Sequence, residues 1–241
     1  MTTASLEARV TSALSTVMDP ELDRSLVELR FATAAVDGDG RVTVELRLPT
    51  FWCASNFAYL MAADARDAVA AVPGVRAVTV RLLDHFAGEE LTGAVASAAP
   101  FDQAFGEDAD GSGLDALRRL FLVKAFTARQ DALLRRLLAG GRTPAEVCAM
   151  RVRDLGADTP DRDAYLDRRR RLGLPVDAAA RLVVRPNGAP VEHDQLEAHL
   201  RRARLTRVGM EANASLCGGL LATRYGPPPR PSPARGGRQN G

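Results

Sequence analysis

Cysteine and histidine are scarce in this chain of 241 residues, with three of each. Cys53, Cys148 and Cys217 lie far apart, are odd in number and form no C-x-x-C pair. That argues against a disulfide framework and for a reducing compartment. So few thiols and imidazoles also leave no pattern for a closed zinc site. No run of eighteen apolar residues exists, so no membrane span is expected. The start, M-T-T-A-S-L-E-A-R-V, lacks a charged segment followed by an apolar one, so no secretory signal is expected and the cytoplasm is the expected location. Aromatics make up 5% of the residues, and none interleaves with the basic runs, so a nucleic-acid partner is not expected.

Apolar residues make up 46% of the chain, enough for a core of normal size. A net charge of +2 hides an asymmetry. Residues 1–112 carry 8 basic and 17 acidic side chains, a net of −9, and residues 113–225 carry 21 and 13, a net of +8. Two modules with different surfaces would produce this split; the halves then either dock on each other or stand as separate solvated surfaces.

Leu6, Val10, Leu14 and Val17 recur at helical spacing over residues 5–18, and Pro20 stops the run. Val27, Leu29 and Phe31 alternate as a strand would. Asp37-Gly38-Asp39-Gly40 is a turn, and Val42, Val44, Leu46 and Leu48 alternate more cleanly still. Phe57, Leu60, Met61, Ala65, Ala68 and Val72 then fall on one helical face over about 55–72, and Val78, Val80 and Leu82 make a further strand. The fold class read from this is α+β. Residues 1–93 form a small α/β sandwich in the order helix-strand-strand-helix-strand, with helices on one face of one sheet. A linker at 94–112 leads to a basic, mainly α-helical domain at 113–225. Within it the pattern predicts a helix from Leu114 to Gly140, a capping box at Thr143-Pro144-Ala145-Glu146, and a helix running from Thr159-Pro160 into Arg168–Arg171. A short strand at Leu182–Val184 and two helices, 191–204 and 206–223, complete it. The Pro- and Arg-rich tail 226–241 cannot bury a core and is expected to be disordered.

Cys53 sits where the cleanest strand stops and a helix begins, in L-R-L-P-T-F-W-C-A-S-N-F. Helix N-terminal amides and the helix dipole favour a thiolate there, which can bind a metal or attack a sulfur; a buried thiol at that place would only fill space. Phe51 and Trp52 beside it either shield the thiol, dock a partner or join the core. Asp19 and Glu21 flank Pro20 in a turn that brings two carboxylates to the same site if the first loop folds over the second helix. His85, after the third strand, is a candidate metal ligand or a packing residue. Cys148 and Cys217 lie in apolar helical surroundings and read as core. The run Arg168–Arg171 reads as the solvated face of a helix.

Asp19-Pro20-Glu21-Leu22, Thr50 with Cys53, and Pro73-Gly74-Val75, in this order and spacing, resemble the SufT/PaaD-like metal–sulfur (iron–sulfur) cluster assembly factors over residues 5–85. The resemblance implies a non-catalytic role in cluster assembly or target maturation, with Cys53 as the thiolate ligand or transfer site and Asp19 and Glu21 beside it. His85 is added as a metal ligand. The implied cargo is an iron–sulfur cluster or iron, held transiently, since one cysteine cannot supply the roughly four ligands a cluster needs. Where the family commonly has proline after the cysteine, this chain has Ala54, which bears on the loop's shape. The longer cysteine loop and the helical extension resemble a sub-branch that accompanies bacterial soluble di-iron monooxygenases, implying a client metalloprotein of that kind, other cluster-assembly proteins as partners, and a homodimer if two subunits bridge a cluster.

Two other readings follow from the residues. The basic helical domain is that of a DNA-binding or adaptor protein, since G-R-T-P-A-E-V-C-A-M-R-V-R-D-L loosely resembles the arginine-box region of tyrosine recombinases, with Arg142, Arg202 and Tyr225 in the corresponding roles. Alternatively Cys53 and His85 form the pair of a thiol enzyme, which requires that they meet.

Overall fold

The computed structural model describes residues 3–101, 103 and 113–226. The first helix, α1, covers Thr3–Leu14 and buries Leu6, Val10 and Leu14. Two short strands follow, β1 (Met18–Asp19) and β2 (Arg24–Ser25), paired antiparallel around the Asp-Pro-Glu turn. The main sheet has the order β3 (Ala32–Val36), β4 (Arg41–Arg47), β5 (Ala77–Leu83). β3 and β4 form the antiparallel hairpin, and β5 returns parallel to β4 after helix α2 (Ser55–Ala70). Val42, Val44 and Leu46 of β4 all point into the core, as the alternation requires. Gly40, at φ 79°, lets the hairpin turn press on the Pro73-Gly74 turn: a Cβ there would lie 2.6 Å from the Gly74 carbonyl. A helix α3 (Gly88–Ala96) extends this module into the segment expected to be a linker. Residues 102, 104–112 and 227–241, which hold the rest of that linker and nearly all of the tail, lie outside the described residues.

The mainly helical part comprises α4 (Gly113–Ala139), α5 (Pro144–Ala149), a single 3-10 turn, α6 (Arg162–Arg171) and α7 (Leu196–Tyr225). The capping box at Thr143 and Glu146 forms in full, and Cys148 is buried in α5.

Three local expectations fail for identifiable reasons. Val27, Leu29 and Phe31 do not make a strand. Leu29 N–H donates to the Ser25 carbonyl and Arg30 N–H to that of Val27, a helical-type turn ended by Arg30 at φ 63°, so the strand starts at Ala32. Leu182–Val184 makes a single isolated bridge, Val184 to Pro190, with its backbone otherwise shared among Met150, Tyr165 and Val191. The two helices expected at 191–204 and 206–223 are one, because α7 is held along its length: Leu196 and Leu200 belong to the core of the helical part, while Ala214 and Leu221 belong to the core of the sandwich.

The oppositely charged halves dock. Asp23, at φ 52°, is buried and gripped by two arginines. Arg168 of α6 donates from Nε to Oδ1 at 2.7 Å, and Arg129 of α4 donates from Nε to Oδ2 at 2.7 Å and from Nη2 to the Asp23 carbonyl at 2.8 Å. Asp64 of α2 and Arg118 of α4 add a two-pronged pair at 2.6 and 2.7 Å. The run Arg168–Arg171 is therefore solvated only in part: Arg170 and Arg171 are exposed as expected, and Arg168 and Arg169 are not. Arg168 is 3% exposed on Asp23, and Arg169 is 1% exposed, donating to the Arg181 and Leu182 carbonyls. Both are drawn inward because unpaired carbonyls and a buried carboxylate need a fork of donors.

Removing one member of a buried ion pair strands the other charge, so Asp23→Ala should cost about 3–5 kcal/mol of unfolding free energy, against under about 1 kcal/mol for Glu28→Ala in the exposed Arg24–Glu28 pair. Urea denaturation of the two variants beside the wild type measures both.

Candidate functional site

The loop from Leu48 to Ala54 leaves the C-terminal end of β4 and enters α2; the loop from Asp84 to Ala87 leaves the same end of its parallel neighbour β5. Adjacent parallel strands place these loops side by side, the usual location of sites in such units. Asp84, at φ 53°, turns the second loop back toward the first. His85 Nδ1 accepts from Ala87 N–H at 3.2 Å, which leaves the proton on Nε2, and Nε2 donates to the Cys53 carbonyl at 2.6 Å. Phe86 N–H donates to the Phe51 carbonyl at 3.1 Å. Burial lowers the His85 pKa, so the ring is held neutral; acid would protonate Nδ1 and remove the acceptor for Ala87.

His85 thus meets Cys53 through its backbone. Both ring nitrogens are engaged with the main chain, so His85 positions the loop and has no lone pair free for the metal role expected of it. The same geometry gives Cys53 no imidazole base at its sulfur, which the thiol-enzyme reading required.

The half-buried Cys53 Sγ lies 3.3 Å from Thr50 Oγ1. Ala54, the helix cap residue, has φ −59° and ψ 132° and makes no side-chain bond to the first-turn amides. That φ lies within the range proline imposes, about −65°. Ala54 therefore holds a backbone angle that proline would also adopt.

Cys53 opens on a cavity of about 170 Å³ whose lining includes Asp19, Glu21, Phe57, Met61 and Cys217. The acidic turn does fold over α2, as the sequence allowed. Asp19 Oδ1 accepts the N–H groups of Glu21 and Leu22, both at 2.8 Å, which fixes the turn. Desolvation outweighs these bonds and pushes the Asp19 pKa from the usual 3.8 up to about 6. Glu21 Oε1 accepts from Asn213 Nδ2 of α7 at 3.2 Å.

Cys217, expected in a core, packs half-buried against the core of the sandwich and also lines the cavity. Burial first, then the charges of Asp19, Cys53 and Glu21, push its thiol up to about 11. No sequence signal linked residues 53 and 217. Only the course of α7 over the sandwich brings them together, secured by Arg224 donating to the Leu48 carbonyl (3.2 Å from Nη1) and the Asp84 carbonyl, and by Tyr225 O–H donating to Asp84 Oδ2 at 3.0 Å.

Residues 7–81 match the model of a family described as iron–sulfur cluster assembly protein. The matched stretch contains Asp19, Glu21, Thr50 and Cys53, and stops short of His85. The helical part beyond this assembly domain has no family assignment. No curated protein and no solved structure matches the chain. Among the described residues, no group of three or more His, Cys, Asp or Glu side chains could hold a metal ion, and no helix is long and apolar enough to cross a membrane. A complete cluster cage is thus absent from the assembly domain as described.

The recombinase-like residues do not converge. Arg202 and Tyr225 lie on one uninterrupted helix 23 residues apart, which at 1.5 Å per residue is about 34 Å. Tyr225 is committed to Asp84 at the other module.

The Asp19 carboxyl ionises near pH 4 in an unfolded chain and near 6 in place, so the native state is favoured below the first value and loses that advantage as pH rises through the second. Asp19→Asn keeps an oxygen for both turn amides and abolishes the titration. At pH 8 it should be the more stable protein by up to roughly 3 kcal/mol, with the difference vanishing toward pH 4 in denaturation midpoints. Ala54→Pro should fold normally and gain about 0.5 kcal/mol, read from the same midpoints, because the ring fits the φ already present.

Proposed function

We propose that this protein is a non-enzymatic accessory factor for assembling an iron–sulfur cluster or metal centre in a client protein, with Cys53 as the thiolate that holds or passes the cargo. What carries the reading is Cys53 opening on an acidic cavity inside the stretch that matches the cluster-assembly family. The surroundings suit a transient hold. Cys53 is half-buried, its loop is fixed through the backbone by His85, and among the described residues too few protein ligands surround it to retain a cluster, which takes about four. The cargo is iron or a cluster, and a receiving protein or second subunit completes its coordination.

The client is a metalloprotein, and in this reading a bacterial di-iron monooxygenase component is the one served, with other cluster-assembly proteins as donors in the cytoplasm. Phe51, Trp52 and Phe86 support a docking role for the rim. They form an aromatic group beside Cys53, with Trp52 stacked on Phe86 and Phe51 edge-on to Trp52, and Trp52 is 73% exposed. A homodimer would cover the outer edge of α7, where Leu205, Val208, Leu216 and Leu220 face solvent. The DNA-binding alternative is weakened, since Arg202 and Tyr225 stand far apart on α7 and Arg168 is turned inward onto Asp23.

Anaerobic purification with iron and sulfide analysis, followed by metallation of the client, tests the reading with wild type beside Cys53→Ser. Serine should lower bound iron and client metallation by at least about tenfold, the scale of a lost metal contact. Equal metallation by the two proteins would remove the thiol from the function.

A further inference from the structure

The cavity at Cys53 has a second sulfur, and that sulfur comes from the part of the chain outside the family match. Cys217 of α7 and Cys53 of the β4–α2 loop line the same space of about 170 Å³, 164 positions apart in the sequence. The acidic side chains on the wall are Asp19 and Glu21. The arginine nearest the loop, Arg224, is spent on two carbonyls. The rest of the wall is largely apolar, with Leu22, Phe31, Phe57 and Met61 among its residues, so its polar character comes from two thiols and two carboxyls, which favour a cation over an anionic sulfur donor. Thiolates select thiophilic metals, and a bound metal deprotonates a thiol outright.

We propose that Cys53 and Cys217 together form a two-sulfur site within one chain for a thiophilic divalent cation such as ferrous iron or zinc. The inference rests on the cargo role assigned to Cys53 and adds a second donor to it. With no third protein ligand among the described residues, the remaining coordination positions stay open to water or to a receiving protein, so the ion is held firmly enough to load and loosely enough to leave. α7 becomes part of the cargo site. It is tied down on both sides of Cys217, by Asn213 on Glu21 and by Arg224 and Tyr225 on the two loops. Binding should release thiol protons as the ion enters.

Cadmium, titrated anaerobically into the full chain without added thiols, reads thiolate coordination directly through its sulfur-to-metal charge-transfer absorption. The wild type should bind one equivalent with an intensity of two thiolates. Cys217→Ser and Cys53→Ser should each halve the signal per ion and weaken binding at least about tenfold. Cys148→Ser, altered in the other core, should behave as wild type. In the unmutated chain, cadmium should protect both Cys53 and Cys217 from alkylation, mapped by mass spectrometry, which does not depend on any variant folding. Protection of Cys53 alone, or a Cys217→Ser titration equal to wild type, would overturn the two-sulfur site while leaving the assembly role intact. Two-sulfur binding with client metallation indifferent to Cys53→Ser would uphold the site and reject the assembly role.

Discussion

Asp23 is the point on which the arrangement of the molecule turns. Its left-handed backbone aims both carboxylate oxygens and its own carbonyl at α4 and α6, where Arg129 and Arg168 close on them. A buried ion pair adds little net stability over an apolar contact of the same shape, because both charges must leave water. Its effect is on specificity, since every misaligned docking leaves a charge buried without a partner. That fixes how the basic helical part lies on the acidic sandwich, and with it the line along which α7 crosses.

The surroundings of Cys53 depend on that line. Leu196 and Leu200 anchor the first half of α7 in the helical core, and Ala214 and Leu221 carry its second half onto the sandwich. Cys217 reaches the cavity, Asn213 reaches Glu21, and Arg224 ties the two site loops from outside. From inside, a neutral His85 ties the same loops through the Cys53 carbonyl. Cys53 is thereby presented by a backbone clasped from both sides, while its side chain meets Thr50, the edge of the sandwich core and the cavity.

Much of the fold was legible where a short-range rule governs. The period-2 run of β4, the helical stripe of α2 and the capping box at Thr143 all form as their patterns require, because each depends on residues within one or two turns. That the acidic turn folds over α2 was left open by the sequence and was decided by the tertiary packing. The failures share a cause. Val27, Leu29 and Phe31 alternate, yet the chain there is coiled by a left-handed Arg30 and all but Val27 are buried from a turn. The arginine run looked solvated because helical spacing says nothing of a carboxylate arriving from Asp23. The break expected within α7 did not occur because two separate cores hold one helix.

The sequence by itself determined the chemistry available: one thiol at a strand-to-helix junction, two carboxyls in a proline turn, and a pattern that matches the iron–sulfur assembly family. Those are properties of near neighbours and residue types. Only the tertiary structure decided which groups share a space. It turned His85 from a metal ligand into a backbone clasp, showed Ala54 holding a proline's shape, and set Cys217 across from Cys53. Such pairings depend on the docking of two cores across long separations in sequence, and that docking follows from the burial of charges that no local pattern records.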